Sequence, residues 1–185
     1  GNALAGLEGV SNTFYGMSAG TNTTGDDDND TFMGAYAGYS NTSGSHNTFL
    51  GGSAGLSNTT GSYNTFLGRS AGYYNINGHY NTFVGGKAGH ANTSGAMNTF
   101  VGENAGGYST TGVNNTFLGA SAGSGNTTGT YNTYIGGSAG LGNNIGFNNT
   151  FVGMWTGAFT SGHNNVFLGG SAGQNETGSN RLYIA

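Results

Sequence analysis

The chain has no cysteine and no proline, and only 5% of its 185 residues are charged. Without cysteine there are no disulfides and no thiolate metal sites, although this absence does not identify a compartment. Basic residues number three (Arg69, Lys87 and Arg181) and the net charge is −4. That balance argues against a nucleic-acid partner and against a basic helix lying on a membrane. No run of about 18 apolar residues occurs, so membrane insertion is not expected. There is no signal-peptide pattern, and with Gly1 at its start the chain reads as a mature product or a fragment of something longer. Glycine is abundant, at 40 residues, but does not recur at every third position as collagen requires. Disorder is also disfavoured, because 34% of residues are hydrophobic and Phe and Tyr fall at regular intervals.

The regularity comes from one stretch, N-T-F-[LV]-G, typified by Asn47-Thr48-Phe49-Leu50-Gly51. It starts at Asn12, Asp30, Asn47, Asn64, Asn81, Asn98, Asn115, Asn132, Asn149 and Asn165, mostly in steps of 17, with one step of 18 and one of 16. A fixed period of this size denotes a repeat architecture. β-branched and aromatic residues favour strand, whereas recurrent glycine disfavours helix. Glycines at fixed offsets, such as Gly51, Gly55 and Gly61, divide each repeat into short straight pieces joined by tight corners. The expected fold is all-β: a parallel β-solenoid, or β-roll, of about ten 17-residue coils rising roughly 4.8 Å each. Residues 1–11 read as a partial leading coil, 12–180 as the repeat domain, and 181–185 as the start of an altered exit strand.

Two neighbouring columns of the strand are apolar. One is Phe49, Phe66, Phe83, Phe100, Phe117 and Phe151 with their equivalents; the other is Leu50, Leu67, Val84, Val101, Leu118, Ile135, Val152 and Leu168. Adjacent strand residues point to opposite faces, so only one column can fill the coil and the other forms an outward stripe. A stripe of that size marks an interface, and self-association along the strand face is expected. Three chains around an axis is the simplest closed arrangement, and a dimer also satisfies the pattern.

The repeat N-T-F-[LV]-G-x-x-A-G-x-x-N-T-[ST]-G resembles the β-roll head repeats of trimeric autotransporter adhesins, and related fibres on phage tails and bacterial surfaces. The resemblance covers nearly all of the chain. It implies a side-by-side homotrimer in which Thr48 and Leu50 point into the roll and Phe49 and its column point toward partner chains. It also implies an extracellular location, on a cell surface or virion fibre, and a structural or adhesive role in surface attachment. Departures from the family pattern are the longer period, Phe in place of a small residue, and Asn-Thr-Thr-Gly turns. A self-assembling extracellular filament and an ice-binding solenoid are the alternative functions.

Candidate sites are few. Asp26, Asp27, Asp28 and Asp30 form an oxygen-rich run able to hold Ca²⁺, although no calcium-loop motif accompanies it. Trp155, Tyr63, Tyr80 and Tyr131 are turn aromatics suited to stacking on surface glycans. Trp155 stands out because Met154-Trp155-Thr156 breaks the repeat. Thr23, Thr42, Thr59, Thr93, Thr110 and Thr127 form a turn column of the kind that ice-binding solenoids present. The four histidines lack metal-ligand spacing, and no catalytic constellation is visible, so an enzyme is not expected.

Overall fold

Each N-T-F-[LV]-G stretch forms a strand of three residues that ends where glycine takes a conformation other residues avoid. The computed structural model describes residues 11–24 and 29–185. In chain order the strands are β1 (Thr13–Tyr15), β2 (Thr31–Met33), β3 (Thr48–Leu50), β4 (Thr65–Leu67), β5 (Thr82–Val84), β6 (Thr99–Val101), β7 (Thr116–Leu118), β8 (Thr133–Ile135), β9 (Thr150–Val152), β10 (Val166–Leu168) and β11 (Leu182–Ile184). They make one parallel sheet in the order β1 to β11. Equivalent residues pair throughout, as Phe49 does with Phe66. The chain is therefore the expected parallel β-solenoid of about ten coils.

Coil-to-coil hydrogen bonds continue beyond the strand around the whole cross-section. In the coil of Phe49, Thr48 N donates to Asn64 O at 2.8 Å, Ser57 N to Tyr73 O at 3.0 Å and Thr59 N to Ile76 O at 2.8 Å. Two glycines per coil are fixed by geometry. Gly51 has φ of 137°, and a Cβ there would lie 2.6 Å from the carbonyl oxygen of Gly68. Gly55 has φ of 57°, and a Cβ there would lie 2.5 Å from the Phe49 ring.

That last contact shows which way the phenylalanines face. Phe49, Phe66, Phe83, Phe100, Phe117 and Phe151 are fully buried inside the single chain. They belong to a stack of ten rings from Phe14 to Phe167, neighbours 4.6–4.9 Å apart and within 10° of parallel. The expectation that these six residues form the self-association surface is thus corrected. Their rings lie against Gly55 and its equivalents, where the missing side chain leaves room for them. Thr48 and Leu50 correspondingly point outward rather than into the roll, and the outer stripe is the Leu/Val/Ile column beside a Thr column. Leu67 and Leu118 are 44% and 47% exposed, so this stripe is half-covered by its own neighbours.

Asparagine fills the rest of the interior. Asn47, Asn64, Asn81 and their successors to Asn165 alternate with Phe on the inward face and are buried. Asn64 N donates to Asn47 Oδ1 at 2.9 Å, and Asn64 Nδ2 donates to Gly78 O at 2.8 Å. A second buried ladder runs through the Asn of each Asn-Thr turn. There Asn58 Nδ2 donates to Asn41 Oδ1, Asn75 to Asn58 and Asn92 to Asn75, at 2.8, 2.7 and 2.6 Å. In-register stacking gives most of the buried amides a partner one coil away, which makes a polar interior affordable.

Candidate functional site

The acidic run divides between the two regions. Asp26, Asp27 and Asp28 lie outside the described residues, whereas Asp30 occupies the first Asn ladder and is fully buried. Its Oδ1 accepts from Asn47 N at 2.7 Å and its Oδ2 from Asn41 Nδ2 at 2.9 Å. Among the described residues no group of three or more His, Asp or Glu side chains is placed to hold a metal ion.

The four turn aromatics do not converge. Tyr63 and Tyr80 precede consecutive strands and stack at 5.0 Å and 9°, 49% and 55% exposed, with His46 edge-on to Tyr63 at 4.6 Å. Tyr131 is in the same column, but three coils beyond Tyr80, roughly 14 Å along the axis. Trp155 sits past the other end of its strand, in a corner column otherwise rich in Ser, such as Ser53, Ser70 and Ser138. All four adopt positive φ, between 57° and 59°. Asn tolerates that conformation and replaces Tyr in this column at Asn114, Asn148 and Asn164.

Most of the turn Thr hydroxyls are used within the fold. Thr42 Oγ1 donates to Thr59 O at 2.9 Å, Thr59 to Ile76 O at 3.0 Å, and Thr93, Thr110 and Thr127 do the same one coil on. Thr24, not Thr23, makes the equivalent bond in the lengthened first coil. Thr23 instead occupies the second Asn ladder, its hydroxyl buried without a partner. His79 and His163 are also structural: His79 Nδ1 accepts from Ser62 N at 3.0 Å, and His163 stacks on Phe147 at 4.4 Å.

One concave site was not anticipated. A groove of about 520 Å³ opens over Gly107, between the turns that follow β5, β6 and β7. Equivalent coils carry Tyr39, Leu56, Tyr73 and His90 at this position, whereas here the side chain is missing. The Tyr73 ring stacks on His90 at 5.2 Å, and Tyr74 meets His90 edge-on, also at 5.2 Å. Gly107 follows His90 in the column, so this short stack stops at the groove. Lys87 and Glu103 stand on its rim, and Asn104, Tyr108 and Ser121 complete its walls. Burial, and then the charge of Lys87, hold the His90 imidazole below its ordinary pKa, favouring the neutral ring. In the sequence the signal was only a second glycine after Gly106, in a column that varies freely.

The chain matches no family model, no curated protein and no solved structure.

Proposed function

We propose that the chain is a rigid spacer and attachment segment of an extracellular fibre, in which three copies pack side by side through the outward face of the sheet. The observation that carries this reading is the uninterrupted outer column of Tyr15, Met33, Leu50, Leu67 and their successors, beside the strand Thr column. A half-exposed apolar stripe along a whole rod marks an association surface. The strand face is about 50 Å long and about 10 Å wide, or about 500 Å². A standard interface buries roughly 800 Å² per partner, so flanking turn residues have to join the contact. The repeat's likeness to trimeric adhesin heads and tail fibres points the same way. The work of such a segment is mechanical rather than catalytic, with stacked turn aromatics such as Tyr63 and Tyr80 available to surface glycans.

Sedimentation equilibrium tests the assembly. A threefold species is expected, and Leu67→Asp with Leu118→Asp is expected to release folded monomers. A native chain that stays monomeric at high concentration overturns the reading, and open-ended growth favours a filament instead. A second reading, ice binding, has its own observation. The strand Thr column, including Thr48, Thr65, Thr99 and Thr116, is exposed in register on a sheet face, unlike the turn column. Thermal hysteresis abolished by Thr99→Tyr would select it.

A further inference from the structure

The groove over Gly107 interrupts a stack of rings, and a ring-shaped ligand restores that stack. We propose that this groove is a saccharide subsite, in which a neutral pyranose continues the Tyr73–His90 stack above the Asn104 carboxamide that covers Gly107. The inference is independent of oligomeric state and of the Tyr63–Tyr80 pair.

The geometry of the gap supports this choice. Coils repeat every 4.8 Å or so, the centroid spacing at which rings in successive coils stack. In the preceding coils that layer holds the Tyr73 and His90 rings; in this coil no ring follows, and the Asn104 carboxamide lies over Gly107 where a Cβ would stand. His90 is backed by two tyrosine rings, which hold its plane fixed, and Tyr108, 62% exposed, stands beside it as a second apolar surface. Such rings bind the C–H face of a sugar while their polar edges stay wet. The volume of about 520 Å³ lies within the range usual for small-ligand sites.

The polar groups set the ligand class. One cation, Lys87, and one anion, Glu103, face the same space, so the site has no net pull on a charged ligand. Lys87 and the Asn104 amide donate, Glu103 and the Asn104 carbonyl accept, and the Ser121 hydroxyl does both. A mixed set suits vicinal hydroxyls, each of which is both donor and acceptor. A phosphate or a sialic acid would meet the Glu103 carboxylate.

A neighbouring coil supplies the test variant. The coil of Phe49 has Ser53 where this one has Asn104, and Leu56 where this one has Gly107. The double substitution Asn104→Ser, Gly107→Leu therefore refills the gap with a combination the fold already accommodates. It also removes the Asn104 amide that a side chain at 107 would strike. Saturation-transfer NMR and calorimetry on the full chain, with methyl hexopyranosides and N-acetylhexosamines as probes, provide the readout. Binding is expected in the native chain, weakened about tenfold or more in the refilled variant and in Tyr108→Ala. Met97→Asn, in a column where Asn recurs, and Trp155→Ala are expected to leave it unchanged. The proposal is overturned if no probe binds at millimolar concentration, if refilling leaves binding intact, or if Trp155→Ala removes it. Unchanged melting of the refilled variant separates a lost site from a lost fold.

Discussion

Replacing Ser109 with Asn is expected to stabilise the protein by closing a break in the second asparagine ladder. From Asn41 to Asn92 each amide nitrogen donates to the side-chain oxygen of the preceding coil. Ser109 is too short to continue that pattern. Asn92 Oδ1, Ser109 Oγ and both amide atoms of Asn126 are buried without hydrogen-bond partners. A buried polar atom left unpaired costs about 1–3 kcal/mol. Ser109→Asn supplies a donor for Asn92 Oδ1 and an acceptor for Asn126 Nδ2. Two atoms at the low end of that range give about 2 kcal/mol, and ordering one more side chain takes back about 1, leaving a gain of about 1 kcal/mol. For a chain of this length each kcal/mol raises Tm by about 2–4 °C, so a rise of about that size is expected by circular dichroism. Solenoid stability is a sum over neighbouring coils, so the gain should concentrate locally. Hydrogen exchange at the Thr110 and Thr127 amides, which bond to the next coil, should slow most. Ser109→Ala is the control, since it removes the same unpaired hydroxyl but supplies no partner to Asn92 or Asn126. If Ser109→Asn melts no higher than Ser109→Ala, the idea that aligned amides support this interior is refuted.

Two further perturbations test the other interior columns. Tyr134 is the one tyrosine among the ten stacked rings, fully buried, its hydroxyl without a hydrogen-bond partner. Burial drives its phenol far above the usual range, and the nearby Asn149 side chain offsets only part of this. The folded chain keeps the proton that the unfolded chain loses near pH 10, so stability is present below that pH and falls as pH rises. Tyr134→Phe should therefore raise Tm at pH 7, by about 1 kcal/mol of stability, and by more at pH 11. A lower Tm at both pH values would show that the hydroxyl is bonded. Gly102→Ala tests the coil corner, where φ is 134° and a Cβ would lie 2.5 Å from the Gly119 carbonyl oxygen. Backbone cannot yield there as a side chain can, so a loss above about 3 kcal/mol is expected in urea melts.

The solenoid was legible because the period, the glycine corners and the strand-forming triplet all pointed to it. Which face of the triplet turns inward was not. Both Phe49 and Leu50 are apolar, and alternation places Phe49 with Asn47 and Leu50 with Thr48. Each face therefore carries one apolar and one polar column, so hydrophobicity alone does not choose between them. The choice follows from hydrogen bonding: a stacked carboxamide gives and accepts along the axis, so Asn can be buried in every coil, while a Thr column can stay in water at little cost. Gly55 was the second clue, because a ring as large as Phe needs the space of a missing Cβ opposite. The groove was beyond reach for a different reason. Its residues come from three coils, and it exists only because Gly107 follows His90 in a column where any residue is tolerated.

That contrast between columns bears on where function resides. The inward positions are nearly identical from coil to coil, since each layer must stack on copies of itself above and below. A change there, such as Ser109 or Tyr134, leaves polar atoms stranded in two interfaces at once. The outward positions carry no such coupling. Arg69, Lys87 and Glu103 appear there once each, and Tyr63 gives way to Asn114 in the same corner. Individuality along the rod is therefore confined to the turns and the outer sheet face. Recognition by this chain has to be built from side chains in successive coils, at roughly 4.8 Å intervals. The Gly107 groove meets that condition, with His90, Tyr108 and Ser121 contributed by three consecutive turns.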